Sequence, residues 1–256
     1  MKKILAYILM LSLVITACKK PKNEQTDNIE NTPKGTLMFH LHTYLDENEV
    51  DLYNAIYTND DGRSISLSRA QLYLSEIELV KLDGSTYVIP NNKIFKILDQ
   101  ETFEAGEVPV GNYKGIKFKV GVNSSINSNV PSAMADSNIF KHTEMWMNNT
   151  VQPDGYAFLN VQGTIDTTSD LSGTMVPFTY KIGSNANFKQ VTMPEKNFSI
   201  QENQAEYAHI KINYNKLFHG VQLNNINNLS VLTVGDNSGA VAQKIVSNIP
   251  AMFIYE

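Results

Sequence analysis

The chain has one cysteine, one tryptophan and five histidines in 256 residues. With a single thiol no internal disulfide can form, so even in an oxidising compartment the fold must be held by its core. Gly-x-Ser-x-Gly, His-Glu-x-x-His and Gly-Lys-Ser/Thr are all absent. Those motifs carry nucleophilic, metalloprotease and phosphate-loop chemistry, and with the histidines scattered the chain is not read as an enzyme. Basic character is also missing: Lys plus Arg number 21 against 26 Asp plus Glu, a net charge of −5, with no basic stripe. Such a balance excludes a nucleic-acid binder. Nowhere is there the run of ~20 apolar residues that a membrane-spanning helix needs.

What the N-terminus does contain is Lys2 and Lys3, an apolar run over residues 4–15, and Thr16-Ala17-Cys18. That is the layout of a secretory signal over residues 1–17. Ile15-Thr16-Ala17-Cys18 matches a bacterial lipobox, in which the small residue before Cys allows cleavage and the thiol takes a diacylglycerol. Cys18 is therefore the expected lipid-attachment site and the mature N-terminus. Each buried methylene of the acyl chains contributes ~0.8 kcal/mol, so a multiply acylated cysteine stays in its membrane. Removing the leader takes the net charge from −5 to −7, because it holds two lysines and no acid.

Residues 18–34 contain one aliphatic side chain after Cys18, Ile29, and cannot order themselves. They read as a disordered tether, able when stretched to hold the domain up to roughly 50 Å from the lipid. Surface-export signals of Bacteroidota lipoproteins are acidic after Cys, whereas Lys19, Lys20 and Lys22 are basic. The expected location is the cell envelope, lipid-anchored in the outer membrane and facing the periplasm.

From residue 35 to 256 the sequence is punctuated by turns and alternates with period two. In residues 36–45, Leu37, Phe39 and Leu41 share one parity and Met38, His40, His42 and Tyr44 the other, the mark of a strand with one buried face. Strands are also expected over residues 50–58 and 64–72, joined by the Asn59-Asp60-Asp61-Gly62 turn, and around Ile94, Ile116, Leu159, Phe178 and Ile212. Parity changes between Leu74 and Ile77, which predicts a bulge or a break at Ser75-Glu76, and Asp83-Gly84 predicts a hairpin turn. No long helical periodicity stands out. The pattern predicts one all-β domain over 35–256, an antiparallel β-sandwich, immunoglobulin-like or jelly-roll-like.

Two places carry ligand chemistry. His40 and His42 lie two apart on one strand face, with Cα atoms about 6.5 Å apart. They either close on one metal ion or face solvent on an outer strand. Further on, His142, Met145, Trp146 and Met147 gather imidazole, thioether and an oxidisable ring after the long Asn/Ser-rich loop of residues 123–137. Such groups suit copper, although a Trp between methionines also serves as an adaptable core plug. His209 and His219 read as solvated residues.

Several blocks resemble a known family. Tyr57-Thr58-Asn59, Gly62, Ser64-Ile65-Ser66, the run from Leu72-Tyr73-Leu74 through Ser75-Glu76 to Leu79, and Asp83-Gly84 are similar to the opening half of MbnP-like proteins, periplasmic copper-binding β-sandwich proteins linked to methanobactin operons. Val108-Pro109-Val110-Gly111-Asn112-Tyr113 with Ile116, Phe118 and Gly121-Val122-Asn123 resembles the next block. Met145-Trp146 followed by Gly155-Tyr156-Ala157-Phe158-Leu159 and Gly163, then Phe178-Thr179-Tyr180-Lys181-Ile182-Gly183, complete the series.

The resemblance implies copper held by histidine and, in some members, by a tryptophan that a partner di-haem peroxidase has oxidised to kynurenine. Carried onto this chain it implicates His40, His42, His142, Met145 and Trp146 as metal ligands. The chain departs from the family pattern at Lys181, where His is common, at Asn148, where a second Trp is usual, and in an insertion over residues 150–154. A membrane-anchored copper-binding protein is the leading expectation. The alternative is a non-metal binding or scaffold lipoprotein, with Trp146, Tyr156 and Phe158 exposed to a glycan or protein partner.

Overall fold

The structure is a computed structural model that describes residues 32–130, 133–148, 155–173 and 175–256. The expected signal, the Cys18 attachment site, most of the tether and the 150–154 insertion lie outside the described residues. Residues 33–256 form one compact unit.

Its strands are β1 (Lys34–Leu45), β2 (Asn48–Glu49), β3 (Tyr57–Thr58), β4 (Ser64–Lys81), β5 (Thr86–Val88), β6 (Lys93–Lys96), β7 (Thr102–Pro109), β8 (Gly111–Val120), β9 (Ala157–Asp166), β10 (Met175–Gly183), β11 (Lys189–Thr192), β12 (Phe198–Ile200), β13 (Ala205–Asn213), β14 (Ser230–Val231) and β15 (Phe253–Tyr255). Among the described residues they are accompanied by two α-helices, α1 (Ser124–Asn127) and α2 (Ala240–Asn248), and by several short 3-10 turns. A five-stranded sheet runs β15-β13-β1-β2, with β7 also on β1. A ten-stranded sheet runs β11-β8-β4-β9-β10-β14, with β3, β5 and β6 on β4 and β12 on β8. Most pairings are antiparallel, as a sandwich requires, but β1 with β13 and β10 with β14 are parallel.

The main core lies between the sheets. Leu37, Phe39 and Leu41 of β1 are fully buried, as are Leu72, Phe118 and Leu159 of the larger sheet. Phe39 meets Phe118 edge-on at 6.2 Å, and Phe118 meets Phe253 at 5.0 Å. Each large apolar side chain so buried contributes roughly 1.5–3 kcal/mol.

The parity change in β4 is the expected bulge. Glu76 takes φ 49°, the pairing with β8 slips between Ser75 and Glu78, and Leu72, Leu74, Ile77 and Leu79 all reach the main core. Tyr73, which alternates with Leu72 and Leu74, points to the opposite face. There it joins Phe95, Phe140, Met145, Trp146, Met147, Tyr156 and Phe158 in a second cluster. The larger sheet is thus covered on its outer face as well.

Two expectations are corrected. Residues 50–58 are not a full strand, since only Tyr57–Thr58 pairs. Leu52 and Ile56 are exposed and Asn54 takes φ 65°, so the segment has neither a buried face nor an extended backbone throughout. A helix does exist after the leader: α2 buries Ala242, Ile245 and Val246 at helical spacing.

Candidate metal centre

The two histidines of β1 stand on its outward face because the inward parity is taken by Leu37, Phe39 and Leu41. Strand β13 runs parallel beside β1 and sets His209 directly opposite His40. Antiparallel β2 pairs Glu49 with Tyr44. Glu101 immediately precedes β7, where Thr102 pairs with His40. Glu256 follows β15, whose pairing with β13 continues as a Glu256 N–H donating to His209 O at 3.2 Å. Five strands therefore deliver three imidazoles and three carboxylates to one patch.

One donor nitrogen from each of His40, His42 and His209 lies within 4.8 Å of the others, and His42, Glu49 and Glu101 form a second such group. His40 Nδ1 and His209 Nδ1 are 3.1 Å apart, and His40 Nε2 is 3.4 Å from Glu101 Oε2. His42 Nδ1 hydrogen-bonds the Glu49 carboxylate, while its Nε2 lies 3.8 Å from Glu256 Oε2. His42 Nε2 is buried and has no hydrogen-bond partner. A buried ring nitrogen left without a partner is a cost to the fold unless something binds it. The side chains of His42 and His40 are 15% and 27% exposed, against 46% for His209, so the patch opens to solvent on the β13 side.

The carboxylates are held in place. His42 is the main cause of the lowered Glu49 pKa, its hydrogen bond outweighing the opposing effect of burial. Tyr44 Oη also donates to Glu49, at 3.3 Å. The segment leading to Glu101 is pinned by fully buried Lys96, whose Nζ donates to Ile97 O and Gln100 O, both at 2.7 Å. Burial pushes the Lys96 pKa down to about 8, with Glu101 and Asp99 opposing.

Of the other expected ligands, Met145 and Trp146 lie in the second cluster and His142 sits at its edge against Phe95. His142 is in neither of the two ligand groups; its Nδ1 is 3.4 Å from Glu144 Oε1 and its ring packs 4.5 Å from that of Phe95. Met145 is fully buried and Trp146 is 5% exposed, its Nε1 donating to Phe140 O at 3.1 Å. Tyr156 and Phe158 are fully buried too, so the open aromatic groove expected of a glycan or protein binder is closed by packing. Lys181 Nζ donates to Trp146 O at 3.2 Å. Burial, then the charge of Arg69, lowers the Lys181 pKa, and Glu144 opposes them. A cationic amine at the Trp146 backbone does not fit a copper ion at that position. Packing is equally tight around the motif glycine: a Cβ on Gly183 would fall 2.4 Å from Tyr156 O and 2.8 Å from Met147 Sδ.

His40 and His42 are thus brought together with a third histidine, and His142, Met145 and Trp146 are not part of that cluster. His209, expected to be solvated, is exposed as expected and also belongs to the cluster. Its only sequence signal was its position on the polar parity of a strand. A parallel pairing across 169 positions carries no local mark.

A model of the family described as MbnP matches residues 34–233, a span that holds all three clustered histidines, Glu49 and Glu101. No curated protein matches the chain. Among solved structures, MbnP from Methylosinus trichosporium is similar, with 15% sequence identity, a TM-score of 0.49, and coverage of 73% of this chain and 78% of that one.

Proposed function

The chain belongs to the MbnP family, and on that premise we propose that it is a copper-binding protein of the cell envelope. In this reading it is tethered through acylated Cys18, faces the periplasm, and holds copper at the histidine cluster of β1 and β13. The observation that carries the reading is the convergence of His40, His42 and His209 nitrogens within 4.8 Å of one another. Imidazole and carboxylate donors favour Cu(II) over Cu(I), and Cu(II) heads the affinity order of the divalent first-row ions. The protein's contribution is binding and orientation, so a catalytic role is not part of the proposal.

The test is a Cu(II) titration of the purified protein with elemental analysis. Copper bound at or above one per chain, lost in the His40→Ala/His42→Ala double variant, supports the reading; a protein that takes up no copper removes it. In the same reading a di-haem peroxidase partner would act on Trp146, and intact mass of the Trp146 peptide reads that modification directly.

The second reading is a glycan-binding scaffold, favoured by one feature. A cleft of about 960 Å³ is lined by Asp60, Arg63, Asn215, Lys216, His219 and Asn224, amide and charged groups suited to hydroxyls. Glycan-array binding that survives loss of the histidine cluster would support it.

A further inference from the structure

We infer that the histidine cluster is a two-ion centre bridged by His42. The inference rests on the copper reading above and deepens it.

His42 belongs to both ligand groups, one with His40 and His209 and one with Glu49 and Glu101. Its two ring nitrogens face different neighbours. Nδ1 is turned to the Glu49 carboxylate. Nε2, buried and without a hydrogen bond, lies 3.8 Å from Glu256 Oε2, and that same oxygen is 3.8 Å from His209 Nδ1. His40 belongs to the first group alone, its Nδ1 3.1 Å from His209 Nδ1, and its Nε2 lies 3.4 Å from Glu101 Oε2. The six side chains therefore sort into two donor sets. One is His40, His209 and Glu256 on the Nε2 side of His42; the other is Glu49 and Glu101 on its Nδ1 side, so that His42 alone is common to both.

A single ion cannot use both sets, because the two nitrogens of one imidazole ring point away from each other. Charge is consistent with two. Three carboxylates and a bridging His42 imidazolate together carry four negative charges, which balance two divalent cations. A neutral His42 holds one ring proton, and binding through both nitrogens releases that proton to solvent. No change of oxidation state is involved.

The experiment is a Cu(II) titration of the full chain, read by elemental analysis and by electron paramagnetic resonance. The expected result is about two Cu(II) per chain with a spin intensity well below two, since an imidazolate couples the two unpaired electrons. His209→Ala is expected to leave about one ion with a full, uncoupled signal, and so is the Glu49→Gln/Glu101→Gln double variant. Zn(II) competition on the unaltered protein needs no substitution: exchanging half of the copper is expected to restore an uncoupled Cu(II) signal. One ion per chain with full spin intensity, or two ions with two full spins, would overturn the bridge and leave copper binding standing. A chain that binds no copper overturns both.

Discussion

The outward face of the small sheet and the outward face of the large one carry the same kinds of residue to opposite ends. Segment 142–147 is rich in ligand types within six positions, yet Met145, Trp146 and Met147 are spent on packing beneath Tyr73, Tyr156 and Phe158. The β1 face offers only two histidines in sequence, yet register supplies the third histidine and three carboxylates from four other strands. Local density of donor atoms along the chain did not decide where donor side chains converge. What decided it was exposure: β1 is covered on one face only, and the large sheet is covered on both.

The comparison can be broken most forcefully by removing the clustered histidines. His40→Ala/His42→Ala is expected to cost more than the roughly 10–100-fold affinity loss typical of an outer-shell partner, measured as Cu(II) affinity, with little change in melting temperature. Trp146→Ala is expected to do the reverse, destabilising the fold by about 3–5 kcal/mol in denaturant titration while the folded protein binds copper as before. A smaller loss, about 1–3 kcal/mol, is expected for Lys181→Ala, which leaves the buried Trp146 carbonyl without that donor; copper binding is again unchanged.

The two faces also respond to opposite ends of the pH scale. Glu49 has a folded pKa below the usual carboxylate range, chiefly through His42. Its stabilising contribution is therefore present above the ordinary glutamate pKa and lost as pH falls through the depressed value. Tyr156 is pushed up to about 12 by burial. Its contribution is present below the ordinary tyrosine pKa and lost as pH rises towards about 12. Melting temperature measured against pH should show Glu49→Gln flattening only the acid limb and Tyr156→Phe only the alkaline limb. The smallest effect belongs to His142→Ala: its partly exposed pairing with Glu144 is worth under about 1 kcal/mol, and copper uptake should not move.

The strands were legible because period-two alternation is written locally, and the β4 bulge was legible because a parity error marks it. The helix Ala240–Asn248 was in principle readable from Ala242, Ile245 and Val246, but nine residues flanked by Gly, Ser and Asn give a faint signal. Two of the six side chains of the candidate centre, His40 and His42, came from alternation alone. His209 and Glu256 could not, because their placement depends on which strands neighbour β1 and in which direction. Nor could the closure of the Trp146 segment, which depends on Lys181, 35 positions away.

The measurement that bears most directly on the account is a side-by-side Cu(II) titration of His40→Ala/His42→Ala and Trp146→Phe. The account expects the histidine variant to lose copper and the tryptophan variant to bind it like the parent protein. Copper retained without His40 and His42, or lost with Trp146→Phe, would contradict it and return the site to the outer face of the larger sheet.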